Sequence, residues 1–178
     1  VTPNRESIVK VFGIAGSSGS GKTTLLDQLI PRFVAAGQRV AGIKHTHHGF
    51  DPDTPGKDSW RMRQGGCENV VLVGARHLTL MRHYPEDKPS PEIGEALAVL
   101  PPDTDLVMVE GYKWSDFPKL EIYRPANGKA PLWPEVPGVV AVATDAMDQV
   151  AGQTTLPVID LADAEAIYRW IRDYLASH

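Results

Sequence analysis

Gly16-Ser17-Ser18-Gly19-Ser20-Gly21-Lys22-Thr23 fits the pattern G-x-x-x-x-G-K-S/T, and each residue type in it suits work on phosphate. Glycines let the main chain turn so tightly that successive N–H groups converge on phosphate oxygens. Lys22 supplies a positive point charge for the β- and γ-phosphates, and the Thr23 hydroxyl offers a ligand to Mg²⁺. Without a nucleotide, Lys22 is expected to face solvent.

The flanks agree with that chemistry. Ile8 to Ala15 is an apolar run of strand length, and Leu25, Leu26, Leu29, Ile30, Phe33 and Val34 recur on one face of a helix that Gly37 can close. Pro31 falls inside the helix and removes one donor. Arg39 to Lys44 reads as a second strand, which completes a βαβ unit. A right-handed crossover makes its strands parallel and brings their carboxyl ends to the edge that carries the loop.

Three further chemical features fall at strand ends, and ligands of open α/β sheets bind along that edge. Leu106 to Glu110 resembles a Walker B strand, whose terminal carboxylate holds Mg²⁺ or orients water. Asp105, at the other end of that strand, is too far away for the same work. His45, His47 and His48 open a loop through Ser59 and read either as metal ligands, as phosphate-side polar contacts or as structural hydrogen bonders. Asp51 and Asp53 in the same loop are candidates for Mg²⁺ through water. Thr144-Asp145 ends another strand, where the Asp145 carboxylate can accept the two N–H donors on the N1/N2 edge of guanine. Asp145 reads equally as a turn or helix cap. Lys57, Arg61 and Arg63 form either a basic patch or a solvated face. Tyr112, Trp114, Phe117 and Tyr123 are read as packing or interface residues.

The remaining elements are coarser. Asp58 or Ser59 can cap a short helix to Gln64, and Asn69–Val73 with Leu78–Met81 suits a hairpin around Gly74–His77. A polar stretch from Pro85 leads to a helix with Ser90 as N-cap and Pro91 at its first position, stopped by Pro101-Pro102. Lys119 to Arg124 alternates, as a half-exposed strand does. Pro125 to Gly138, with four prolines and two glycines, reads as irregular. Val139 to Ala143 is a buried strand, Val158-Ile159 a short one, and a last helix starts near Asp163. The expected fold is one P-loop NTPase-like α/β domain over residues 1–178, three-layered and mostly parallel, with an antiparallel hairpin at one edge.

Composition narrows the class. With 178 residues and a formal charge of −4, a general basic surface for nucleic acid is not expected. A single cysteine, Cys67, suits a reducing compartment. No targeting pattern precedes the first strand and no apolar run is long enough for a bilayer, so a soluble cytoplasmic protein is expected.

Taken together, Gly16 to Thr24, then Lys44-His45-x-His47-His48-x-Phe50-Asp51-x-Asp53-x-Pro55-Gly56-Lys57-Asp58-Ser59, then Val109-Glu110-Gly111 and Pro118-Lys119-Leu120-Glu121, resemble the molybdopterin-guanine dinucleotide biosynthesis protein B (MobB) family. The histidine and aspartate loop is the specific part. The resemblance implies a GTP-binding protein with weak Mg²⁺-dependent GTPase activity, a homodimer, and action beside MobA, the enzyme that attaches GMP to molybdopterin. Gly16 to Thr24 would then bind the GTP phosphates and Mg²⁺, with Glu110 at the Walker B position. Slow turnover suits a chain with no evident arginine finger or water-positioning glutamine. The residues alone also admit a small-molecule kinase, a metal-delivery GTPase that uses the histidines, or a module for which GTP is only a structural ligand.

Overall fold

The computed structural model describes residues 9–46, 49–84 and 89–178. Residues 1–8, His47, His48 and the start of the polar stretch at Pro85 lie outside the described residues. In chain order the elements are β1 (Lys10–Ala15), α1 (Lys22–Ala35), β2 (Val40–Lys44), α2 (Asp58–Gln64), β3 (Asn69–Val73), β4 (Leu78–Arg82), α3 (Ile93–Ala98), β5 (Leu106–Glu110), β6 (Lys119–Tyr123), β7 (Val139–Thr144), α4 (Met147–Ala151), β8 (Val158–Asp160) and α5 (Ala164–Ser177). They divide into two compact units, one reaching to His45 and resuming at Ile93, the other running from Thr46 to Glu92.

In the first unit six strands lie in the order β2-β5-β1-β6-β7-β8, and every neighbouring pair is parallel. Alternate residues of such strands face opposite sides, so both faces need apolar cover. Phe12, Ile14, Leu106, Met108, Leu120 and Ile122 pack with Leu25, Leu29 and Phe33 of α1 and Ile167 and Ile171 of α5. On the other face Val107, Val109 and Phe117 meet Val11, Ile43, Ile93 and Leu97. The result is the three-layer, mostly parallel α/β architecture expected from the alternation of strand and helix patterns.

Local chemistry sets the ends of the two long helices. At the end of α1, Gly37 takes φ 84°, its N–H bonds Val34 O, and Gln38 N–H reaches back to Phe33 O, a Schellman closure. Pro31 sits inside that helix, and Val34, expected on the buried face, is turned to solvent. α5 begins where the Asp163 carboxylate accepts the Ala166 N–H at 2.8 Å.

Other boundaries moved. α3 starts at Ile93 rather than at Pro91 and stops at Ala98, before Leu100, whose following proline disfavours helical geometry. The short α4 follows Thr144, whose hydroxyl accepts the Ala146 N–H and turns the chain there. In the second unit α2 has Lys57, not Asp58 or Ser59, at its N-cap position, with no side-chain cap. The β3–β4 hairpin is present, with Val71 opposite Leu80 and Val73 opposite Leu78. It makes a two-stranded sheet of its own instead of an edge of the large sheet, since each strand takes the other as its hydrogen-bonding neighbour.

The largest departure is β6. Its alternation of charged and apolar residues suggested a half-exposed strand, yet Lys119 and Glu121 are each only 1% exposed. Buried charges are tolerated only when hydrogen-bonded, and here main chain does the work. Lys119 Nζ donates to the carbonyls of Ser115, Phe117 and Pro137. Glu121 accepts the N–H groups of Leu132 and Trp133 at 2.8 and 2.9 Å. The proline-rich stretch therefore keeps its irregular shape, apart from a 3₁₀ turn at Pro125–Asn127, because two buried side chains pin it. Tyr123 meets Trp133 edge to face and Val136 is buried.

Burial moves Glu121 from its ordinary 4.5 to about 6, against the pull of its two N–H donors. A raised carboxyl pKa means that the folded state holds the proton more tightly. Its contribution is therefore complete below pH 4.5 and is lost as pH rises through about 6. The shift corresponds to about 2 kcal/mol. Urea unfolding at both ends of that window should show this fall in the parent and not in Glu121→Gln; parallel pH slopes would remove Glu121 as the cause.

Candidate functional site

The residues with phosphate-binding chemistry meet at the carboxyl edge of the parallel sheet. β1 ends at Ala15 and α1 begins at Lys22, so the turn between them is the glycine loop itself. Gly16, Gly19 and Gly21 all take positive φ, at 144°, 77° and 102°. At Gly16 the requirement is also steric: a Cβ would lie 2.6 Å from Ile122 O and 2.7 Å from Ser20 Oγ. Ser18, Gly19, Gly21, Lys22, Thr23, Thr24 and Glu110 line a cavity of about 370 Å³.

Lys22 departs from the expected solvent-facing pose. Its ammonium folds back onto Gly16 O at 3.0 Å and Ser17 O at 2.8 Å, and this burial lowers its pKa while Glu110 pulls it back up. Two of its three donors thus latch the loop, and the third is left for a ligand. Ser17 and Ser20 close the turn through a backbone bond at 3.2 Å.

Glu110 stands at the end of β5, in register with Ile14 on one side and Lys44 on the other. Its Oε2 is 3.4 Å from Thr23 Oγ1 and 3.7 Å from Lys44 Nζ. A hydroxyl and a carboxylate converging in this way make a hard-oxygen pair of the kind Mg²⁺ takes, so the donor set fits that ion. Asp105, at the opposite end of β5, is occupied with Arg39.

Two basic residues at this rim had no role in the sequence reading. Lys44 ends β2 beside Glu110. Arg124, just past β6, donates from Nε to Ser20 O at 2.9 Å and from NH1 to Asp145 Oδ2 at 2.6 Å. Its position at a strand end is the signal that the sequence carries. Asp145 is thus an ion-pair partner in this structure, and Thr144 is fully buried as the turn former already described.

From Thr46 onward the histidine and aspartate loop belongs to the second unit. Both Asp51 oxygens accept from Arg63, at 3.1 and 2.7 Å, which holds the Asp51 carboxyl below its ordinary pKa. Asp53 Oδ1 accepts from Ser59 Oγ and from the Thr54 N–H. Arg63 is thereby an internal counter-ion and not part of a solvated patch. His45 belongs to the first unit, where its ring lies 4.3 Å from that of Tyr112. Among the described residues no group of three His, Cys, Asp or Glu side chains converges as a metal site. Nor is any described helix long and apolar enough to cross a membrane.

A parallel sheet with a glycine loop between its first strand and helix defines the P-loop NTPase-like class of α/β proteins. Within that class, residues 11–145 match the family described as molybdopterin guanine dinucleotide synthesis protein B, MobB, and the chain belongs to that family. It is 42% identical over 142 residues to the molybdopterin-guanine dinucleotide biosynthesis adapter protein of Haemophilus influenzae, covering 77% of this chain and 75% of that one. Identity to the Escherichia coli adapter protein is 32% over 174 residues, covering 96% and 95%. Among solved structures, a MobB protein homolog from Bacillus stearothermophilus superposes with a TM-score of 0.70 at 25% identity, over 94% of this chain and 99% of that one.

Proposed function

We propose that this protein is an adapter in molybdopterin guanine dinucleotide biosynthesis that binds GTP with Mg²⁺ and hydrolyses it slowly. One observation carries the nucleotide part: the glycine loop, the Lys22 ammonium, the Thr23 hydroxyl and the Glu110 carboxylate share a single cavity. Family membership supports the adapter part, since the relatives bear that name. In this reading Gly16 to Thr24 cradle the phosphates, and Lys22 neutralises the terminal ones. Thr23 and Glu110 would hold Mg²⁺, which would offset the charge of the phosphates. Asp145 reads guanine, because a carboxylate has lone pairs enough to hold Arg124 and still accept from the base. The partner is a MobA-type guanylyltransferase working on molybdopterin, in the cytoplasm.

Titration of the purified protein with GTP and ATP, with and without Mg²⁺, tests this reading. GTP should bind more tightly than ATP and need the metal for full affinity. Glu110→Ala should abolish the slow Mg²⁺-dependent phosphate release while leaving the fold intact. Preference for ATP would point to a kinase, and release undiminished in the variant would remove Glu110 from the site.

The same reading includes a homodimer. Val71, Val73, Leu78 and Leu80 share one face of the hairpin by register, and Val73 and Leu78 are 77% and 69% exposed. A contiguous apolar face of this kind is what a second copy would cover. Sedimentation should give a dimer for the parent and a shift toward monomer for Val73→Lys; a parent that is monomeric throughout would exclude this interface.

A further inference from the structure

The guanidinium of Arg124 ties together two parts of the nucleotide site that the chain places far apart. We infer that Arg124 is a positioning residue for the phosphate loop, anchored by Asp145, and that it sets the orientation of the peptide between Ser20 and Gly21. The inference rests on the nucleotide-binding reading above.

The geometry is specific. Arg124 Nε donates to Ser20 O at 2.9 Å, while NH1 donates to Asp145 Oδ2 at 2.6 Å. A Cβ on Gly21 would lie 3.7 Å from Arg124 NH2, so the guanidinium lies directly against the loop. The planar fork can reach both partners at once, which a lysine ammonium on a flexible stem does less well. In a trans peptide the C=O and the following N–H point in opposite directions, and the described peptides are all trans. A cation fixed on Ser20 O therefore turns the Gly21 N–H away from Arg124. It also polarises that peptide, which strengthens the N–H as a donor. Gly21 lines the cavity together with Lys22 and Thr23. Arg124 thus acts on phosphate through a main-chain donor and without touching the ligand.

Asp145 completes the device. Its carboxylate, just past the end of β7, holds the guanidinium through NH1, while Nε is held by the loop. A residue assigned to the base therefore also supports the grip on phosphate.

Inorganic tripolyphosphate with Mg²⁺ isolates this effect, because it has phosphates and no base. Arg124→Ala should bind both Mg-tripolyphosphate and Mg-GTP about tenfold more weakly than the parent or worse, the equivalent of one lost charge-assisted hydrogen bond. Arg124→Lys should recover only part of that loss. Millimolar guanidinium chloride should restore affinity in Arg124→Ala, and the same concentration of sodium chloride should not. Asp145→Asn should weaken tripolyphosphate as well as GTP. Equal tripolyphosphate affinity in Arg124→Ala and the parent would overturn the inference and leave the nucleotide reading standing. A loss in Asp145→Asn confined to GTP would overturn the anchoring role. A parent that binds neither ligand would overturn the nucleotide reading itself, and the inference with it.

Discussion

Lys119→Ala is expected to cost about 3–5 kcal/mol of stability, a large share of the 5–15 kcal/mol typical of folded domains. The carbonyls of Ser115, Phe117 and Pro137 all accept from this one buried ammonium, and the variant leaves them without a donor. The ammonium also lies over the Phe117 ring, whose centre is 4.2 Å from Nζ. Burial brings the Lys119 pKa down to about 8, so at neutral pH the group keeps its proton and all three bonds. Chemical denaturation should show the loss directly. Lys119→Met separates its causes, since methionine keeps most of the stem and none of the donors. If the Met variant unfolds with the parent, the three carbonyls do not depend on Lys119.

The second large effect is on binding. Lys22→Ala should weaken Mg-GTP by about ten- to a hundredfold, as expected when one charge-assisted contact to phosphate is lost. The melting curve should hardly move, because Lys22 is only half-buried and water can replace it at the Gly16 and Ser17 carbonyls. Isothermal titration of the variant and parent measures the first claim, and a thermal melt the second. Unchanged affinity would mean that the latch onto the loop is the whole role of Lys22.

What the sequence made legible was local. The phosphate loop is contiguous, so its glycines, lysine and threonine announce both their geometry and their chemistry. The apolar runs of β1, β5 and β7 announce central strands, because only strands covered on both faces can be apolar throughout. Arrangements that depend on distant chain were harder to read. Lys119 and Glu121 look like the polar side of a surface strand, and nothing local indicates that carbonyls and N–H groups from elsewhere take the place of water. Arg124 escaped for a related reason: its partners, Ser20 and Asp145, lie 104 and 21 residues away. Asp51 and Asp53 are a further case: the loop sequence offers them to Mg²⁺ through water, and their protein partners, Arg63 and Ser59, are not apparent from it.

The pinned course of residues 125–138 bears on how the protein can be engineered. Prolines and glycines at this density usually mark a tether into which extra chain can be spliced. Here the tolerance should be confined to the exposed turn around Gly128 and Lys129. A few residues further on, Leu132 and Trp133 lend their amides to Glu121, and a reporter inserted there would pull a carboxylate loose from the middle of the sheet.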